Sequence, residues 1–344
     1  MMHAIRIAKP GGHERLRLLE LPSPEPGPGS VRVATRAIGV NYADCIVRMG
    51  LYASAKEYVG WPITPGFEFS GVVDALGEGV SKLELGERVF GLTLFGAYAT
   101  EVSVPEQQLF ALPAAWTFAQ AASFPTVFLT GWYALRELCK LRPGMRVLIH
   151  SAAGGVGCAA TQIAVACGCE VTAVVGASHK VATARAAGAT HVLDRSQTDL
   201  GSALAALAPR GFDVVLDPNG ASGLAQSYAQ LAPAGRLIVY GFHTLMSRGR
   251  QRPNYVKLLW GYLRTPRFNP FEMNQKNKSV MAFNLSYLFE RTWLLAEAMA
   301  ELLTWVEAGK IRPLPLREVP FAEVARAHAA LESGDSVGKL VLIP

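Results

Sequence analysis

The stretch Met145-Arg146-Val147-Leu148-Ile149-His150-Ser151-Ala152-Ala153-Gly154-Gly155-Val156-Gly157 constrains the fold more than any other part of the chain. It opens as an apolar, partly β-branched run, the pattern of a strand buried on both faces of a parallel sheet. It then turns at small residues and enters a helical pattern that puts Val156, Ala160, Ile163 and Cys167 on one face. Read as a fingerprint it is Ala152-x-Gly154-x-x-Gly157, with alanine at the first glycine position. Gly154 would let backbone approach a pyrophosphate, Gly157 would let helix and strand pack closely, and the helix N-terminus would offer N–H groups to phosphate. A plain glycine turn of an α/β protein stands beside that reading. The strand before and the helix after favour dinucleotide binding.

The remainder of the chain fits a two-domain α/β protein. Its 344 residues can bury two cores, and half of them are hydrophobic against 17% charged. Residues 1 to about 120 carry short β-like runs between Gly and Pro, such as Val31–Thr35 and Gly71–Gly77, and read as an all-β unit. Near Phe118 the pattern changes to alternating strands and helices. Strands are expected at Val147–His150, Glu170–Val175, His191–Leu193, Phe212–Leu216 and Arg236–Tyr240, with helices starting near Gly155, His179, Leu200 and Ala221. That is a doubly wound sheet with its ligand at the carboxyl ends of the strands. An amphipathic helix over Leu294–Val306, another over Phe321–Leu331 and a strand over Val337–Ile343 close the chain.

Met1 to Ala8 reads as a first strand, without the apolar core of an export signal. The uncharged stretches Gln107–Leu135 and Val147–Cys169 are interrupted by prolines and by the glycine turn, so no membrane span is expected. The five cysteines, an odd number, suggest reduced thiols and a cytoplasmic setting, and Cys167-x-Cys169 reads as core rather than as a metal pair.

Residues 243 to 291 stand apart. Nine basic and two acidic residues give them a local net charge of +7, against +6 for the whole chain. Tyr255, Trp260, Tyr262, Phe268 and Phe271 are interleaved with the charges, which include Arg248, Arg250 and Arg252. A solvated basic face, an acidic membrane surface and a phosphorylated ligand are the readings left open; no nucleic-acid module accompanies the charge.

Several motifs now align in order: Gly39-Val40-Asn41-Tyr42-Ala43-Asp44, Gly50-Leu51-Tyr52, Pro62 to Gly71, Gly86-Glu87-Arg88-Val89 and Ser151 to Gly157. In this series the chain resembles the medium-chain dehydrogenase/reductase superfamily, and within it the zinc-free quinone oxidoreductase branch. The segments from Asp217 to Gly220, from Val239 to Gly241, from Asn277 to Ser279, from Phe283 to Leu285 and from Val337 to Lys339 are similar to the vesicle amine transport protein group. The resemblance implies a GroES-like β-barrel catalytic domain (residues 1–120 with 291–344) and a Rossmann domain (121–290) bearing a basic, aromatic excursion at 243–280. It also implies a homodimer joined through an edge strand near Val280–Leu285.

The zinc enzymes of the superfamily hold their catalytic metal with a cysteine and a histidine in the first and third of these motifs. Here the matching residues are Asn41 and Phe67, neither an ordinary zinc ligand, and Arg88 to Val104 lacks the cysteines of the structural zinc lobe. No metal is therefore expected. A quinone or an α,β-unsaturated carbonyl, which carries its own electron sink, suits such a site.

An NAD site wants an acid about 20 residues past the glycine turn. That place is Gly176, followed by Ser178 and Lys180, with Arg195 where the family often has tyrosine. This favours NADPH, although Lys180 also reads as a plain solvated helix residue. By resemblance, Asn41 and Tyr52 are catalytic-cleft residues, with a turn residue and ordinary packing as their bland alternatives. Thr130, Ala152, Gly154, Gly155, Val156, Gly157, Asn219, Tyr240, Gly241, Phe242, Phe283, Leu285 and Lys339 are expected around the cofactor. His150 and His243 flank the cleft without an assigned role. The expected activity is hydride transfer from NADPH to a quinone or enone, with enoyl-thioester reduction or lipid association with retained NADPH binding as alternatives.

Overall fold

The computed structural model describes residues 1–221, 223–246 and 252–344. Arg248 and Arg250 lie outside the described residues.

Six parallel strands form one sheet in the order His191–Asp194, Glu170–Val175, Arg146–His150, Phe212–Asp217, Leu231–Val239 and Ser279–Ala282. The chain starts in the middle, winds to one edge, and returns to build the other half. The central strands are fully buried, as their apolar runs require: Val147, Leu148, Ile149, Val214, Val215 and Leu216 have no exposed surface. The reversal of direction lies between the strands ending at His150 and Asp217, so a crevice opens at their carboxyl ends.

The other sheet has seven strands and is mainly antiparallel. Its order is Leu316–Pro320, Lys339–Ile343, Ser30–Val40, Glu68–Leu76, Arg88–Leu92 and Leu109–Ala111, with Glu101–Pro105 paired to the first half of Ser30–Val40. Inward residues such as Val31, Val33, Ile38, Phe69, Val89 and Leu342 make its core. A second, larger core runs beneath the parallel sheet and takes in Leu294, Leu295, Ala298, Met299 and Leu302 of the helix Thr292–Glu307.

Between the sheets lies the helix Pro125–Trp132, continuing into a wider turn over Tyr133–Leu138. Proline at its first position suits helix initiation, since the missing N–H has no partner there. Gly131 allows it to meet the helix Gly155–Ala166: a methyl group on Gly131 would stand 3.0 Å from Ile163 Cδ1 and 3.3 Å from Ala160 N.

Some expected boundaries move. The strand expected from Arg236 begins at Leu231, because Leu231 pairs with Phe212 before an irregular Ala232–Gly235 segment in which Ala234 has φ 67°. Pro233 and Gly235 hid that first pairing. The edge strand ends at Ala282, since Asn284 caps the following turn by accepting from Ser286 N at 3.1 Å. The helix expected from His179 begins as a single tight turn, Ser178–Lys180, and becomes regular at Val181. The basic excursion contains two helices, Tyr255–Leu263 and Pro270–Lys276, with no buried residue in either. Arg252 reaches the other domain, where it donates to Glu14 at 2.8 Å.

Candidate cofactor cleft

The glycine turn forms the floor of the crevice. Ser151 adopts φ 53°, and Gly154 N donates back to Ser151 O at 3.0 Å, closing the turn before the helix begins at Gly155. The three glycines are not equivalent. A Cβ on Gly157 would stand 2.5 Å from Ser151 O and 2.6 Å from Ala152 Cα, so Gly157 permits the close approach of helix and strand. On Gly155 it would meet Val127 Cγ1 at 2.9 Å and Lys339 Cδ at 3.1 Å, so Gly155 faces the protein rather than a ligand. On Gly154 it would meet only Ser151 O at 3.4 Å. The backbone is thus open at Gly154, beside the helix N-terminus, which fits a dinucleotide pyrophosphate. Ala152 is fully buried, Gly154 and Val156 half-buried.

The loop after the next strand carries Gly176, Ser178 and Lys180. Ser178 Oγ donates to Asp194 Oδ2 at 2.6 Å. Lys180 Nζ donates to the carbonyl of Gly334, in the segment that leads to the last barrel strand. Arg195 is exposed and lies beside Gly176, its guanidinium 3.5 Å from where a Cβ on that glycine would stand. The Gly334–Lys339 segment then passes over the glycine turn, with Gly338 N donating to Ala153 O at 2.9 Å.

Across the crevice, Asp217 organises the loop at the end of its strand. Its Oδ1 accepts from Asn219 N at 2.6 Å and Gly220 N at 3.1 Å, and its Oδ2 accepts from Ser227 Oγ at 2.6 Å. Ser227 Oγ also lies 3.3 Å from His150 Nε2. His150 is buried there, and the loss of solvent holds its pKa below the ordinary histidine value, so it is a neutral structural partner. Asn219 Oδ1 accepts from Ser151 Oγ at 3.2 Å and joins the two loops. Gly241 packs on Pro218, Phe242 is exposed over Gly220, and His243 meets Tyr42 with ring centroids 4.3 Å apart. Tyr240 and Phe283 stack near the sheet edge, with Tyr133 against Phe283 at 4.9 Å. Leu285 is half-buried next to them, packed on the same core.

Asn41 lies at the domain junction. Its Oδ1 accepts from Lys339 Nζ at 2.7 Å and its Nδ2 donates to Glu68 Oε1 at 2.8 Å. An ammonium can only donate, so the orientation of the amide is fixed. Lys339 also donates to Glu68 Oε1 at 2.6 Å and Val40 O at 3.0 Å, and Glu68 Oε2 accepts from Thr126 N at 2.7 Å. Lys339, expected around the cofactor, thus directs its ammonium away from the glycine turn. Its ammonium is buried and fully engaged with Glu68, Asn41 and Val40, and only its methylenes pass near Gly155. Thr130 is nearly buried, and its hydroxyl donates to Thr126 O at 2.6 Å within its own helix.

Tyr52 packs on Phe95 and on Phe67, the residue in the histidine ligand position. Its hydroxyl donates to Asn284 Oδ1 at 2.8 Å, and burial raises its pKa above the ordinary phenol value. Asn41 and Tyr52 therefore both border the junction, each with a committed hydrogen bond. Among the described residues, no group of three or more His, Cys, Asp and Glu is arranged to hold a metal. No described helix is long and apolar enough to cross a membrane.

The sequence reading missed Glu68, Asp217 and Asp194. Asp217 had a readable signal, an acid at a strand's carboxyl end followed by Pro218-Asn219-Gly220. Glu68 sat inside a quoted motif, but nothing local shows that it faces a lysine 271 residues away.

Family comparison gives consistent results. The alcohol dehydrogenase GroES-like domain family matches residues 27–114, and the zinc-binding dehydrogenase family matches 187–342. The synaptic vesicle membrane protein VAT-1 homolog of Rattus norvegicus is 35% identical over 341 residues, covering 97% of this chain and 82% of that protein. The Escherichia coli quinone oxidoreductase complexed with NADPH superposes with TM-score 0.85 at 29% identity, covering 99% of this chain and 100% of the other. The CurK enoyl reductase superposes with TM-score 0.85 at 28% identity, covering 99% of each.

Proposed function

The chain belongs to the medium-chain dehydrogenase/reductase superfamily, in its zinc-free quinone oxidoreductase branch, and from that premise we propose that it reduces a quinone or α,β-unsaturated carbonyl with NADPH. The observation that carries this reading is the pairing of an open backbone at Gly154 with Asn41 and Phe67 across the cleft. The first suits a dinucleotide; the second pair replaces the usual metal ligands. NADPH is the cofactor, as in the similar quinone oxidoreductase, and supplies hydride when bound.

The protein's own residues then have defined tasks. Gly154, Val156 and the helix N-terminus would hold the pyrophosphate. Asp217 keeps the Asn219 loop in place beside the turn, and Tyr240, Gly241 and Phe242 would border the nicotinamide end. Asn41, oriented by Lys339 and Glu68, has one Nδ2 proton left to donate to a substrate carbonyl. Tyr52, which spends its proton on Asn284, offers an acceptor to a water or hydroxyl. NADPH consumption with matched panels of quinones, enones and enoyl thioesters tests the reading. Turnover of thioesters alone would select the enoyl reductase alternative, which the likeness to the CurK enzyme supports. Absence of turnover in all three panels would end both.

The chain is further proposed to be a cytoplasmic homodimer, paired through the edge strand Ser279–Ala282. A weak affinity for acidic membranes is supported by the helix Tyr255–Leu263, where Val256, Leu259 and Trp260 are exposed beside Lys257 and Arg264.

A further inference from the structure

We propose that Asn284 is a specificity-determining residue that donates to the second carbonyl of a para-quinone, while Asn41 donates to the first. The proposal rests on the reading of the cleft as a reductase site and names the substrate class that its wall favours.

Asn284 follows the edge strand Ser279–Ala282, at the carboxyl end of the parallel sheet where a ligand is expected. Its side-chain oxygen is ringed by donors. Oδ1 accepts from Tyr52 Oη at 2.8 Å, from Ser286 N at 3.1 Å and from Ser286 Oγ at 2.8 Å. A backbone N–H can only donate, so the atom facing it is the amide oxygen and the other is the NH2 group. The hydroxyls are settled by the same count. Ser286 Oγ gives its one proton to Asn284, so it accepts from the fully buried Ser54 Oγ at 2.8 Å. With these three donors directed at Oδ1, Nδ2 keeps both of its protons. Asn284 is half-buried, no described residue accepts from Nδ2, and that nitrogen is open to solvent.

The same wall carries the other donor. Asn41 Nδ2 gives one proton to Glu68 Oε1 and retains one. Glu68 follows Phe67, whose ring centroid lies 5.8 Å from that of Tyr52, and Tyr52 leads to Asn284. The barrel thus contributes one free amide N–H to this wall and the parallel sheet contributes a second carboxamide. Amides whose oxygens are already engaged are preorganised donors. A para-quinone has conjugated carbonyls at opposite ends of its ring, so charge that arrives on reduction is shared by two oxygens. An enone or an enoyl thioester places it on one. Donors at both positions therefore favour the quinone, and Asn284 finds no second carbonyl in the other substrates.

The test compares kcat/KM for para-benzoquinone and for cyclohexenone, at saturating NADPH, in wild type, Asn284→Asp and Asn284→Ala. Asn284→Asp keeps an oxygen for all three donors and for the cap on the Leu285–Arg291 turn, so its melting temperature should match wild type. Both variants lose the NH2 group, and the alanine variant shows that the change does not come from the new carboxylate charge. The ratio of quinone to enone kcat/KM should fall about tenfold in each, the scale of one lost hydrogen bond, with NADPH affinity by fluorescence titration unchanged. An unchanged ratio, or weakened NADPH binding in Asn284→Asp, would overturn the proposal, as would a wild type that reduces only cyclohexenone. If wild type reduces only the quinone, the same fall in its kcat/KM with intact NADPH affinity is expected, and an unaltered value would overturn the proposal. Failure of wild type with both probes would remove the reductase reading itself, so the two failures are distinguishable.

Discussion

Replacing Lys339 with methionine offers the sharpest test of the buried ion pair that the barrel domain sets beside the domain junction. The Lys339 side chain is 3% exposed and Glu68 has no exposed surface. Lys339→Met keeps most of the side-chain volume but leaves Glu68 buried without its counter-ion. It also removes the donor to Asn41 Oδ1 and Val40 O. Breaking a buried pair from one side costs about 3–5 kcal/mol. That is a large share of a total stability of about 5–15 kcal/mol. Adding Glu68→Gln removes the stranded charge, but the new amide has a single acceptor oxygen for two donors, Asn41 Nδ2 and Thr126 N. One donor is then unmatched, a loss of about 1–3 kcal/mol. The double variant should therefore be more stable than Lys339→Met although it carries one more substitution. Guanidinium denaturation followed by tryptophan fluorescence, with calorimetry alongside, measures the order. A Lys339→Met protein within about 1 kcal/mol of wild type, or a double variant no better than the single, would refute the reasoning.

Other consequences follow from the same geometry. Gly157→Ala must displace Ser151 O and Ala152 and should lower the melting temperature, whereas Gly154→Ala should fold normally and lose NADPH affinity; equal thermal losses in the two would contradict the open backbone at Gly154. Burial pushes the Asp44 carboxyl up from 3.8 to about 7, opposed by hydrogen bonds from Asn41 N and Tyr98 Oη. The folded state then keeps a proton that the unfolded chain releases, so this group's contribution is full below about pH 4 and is lost as pH rises through about 7. Asp44→Asn should flatten that part of the stability–pH curve, and an unchanged curve would show that Asp44 stays ionised. The double change Leu259→Ser with Trp260→Ser, both 61% exposed, should shift stability by no more than about 0.5 kcal/mol while abolishing sedimentation with phosphatidylserine vesicles at low salt. Wild type that never sediments would leave the helix a solvated face.

The sheet at the centre of the Rossmann domain was readable because burial on both faces writes itself as apolar runs, as in Val147–Ile149 and Ala173–Val175. The start of the fifth strand was not, since Pro233 and Gly235 look like a loop and the pairing of Leu231 with Phe212 depends on a partner strand. Local patterns also identified Gly157 correctly as a close-packing glycine. They also singled out Gly154 in the fingerprint, but not what closes off Gly155, since Val127 and Lys339 reach it from distant parts of the chain. The same limit explains the two lysines. Lys339 is expected around the cofactor and Lys180 beside its phosphate, and each has a partner far away in sequence, Glu68 and the carbonyl of Gly334. A cation's partner is decided by tertiary packing, which residue spacing does not encode.

The central claim is that the cleft transfers hydride from NADPH without a metal, and a single-turnover experiment tests it most directly. Enzyme treated with chelator is loaded with NADPH, or with NADPH deuterated at the transferring nicotinamide carbon, and mixed with the quinone or enone it consumes fastest. The account predicts oxidation in both cases, slower with the deuterated cofactor and at rates independent of the chelator. Equal rates for the two cofactors, loss of oxidation after chelation, or no oxidation at all would contradict it.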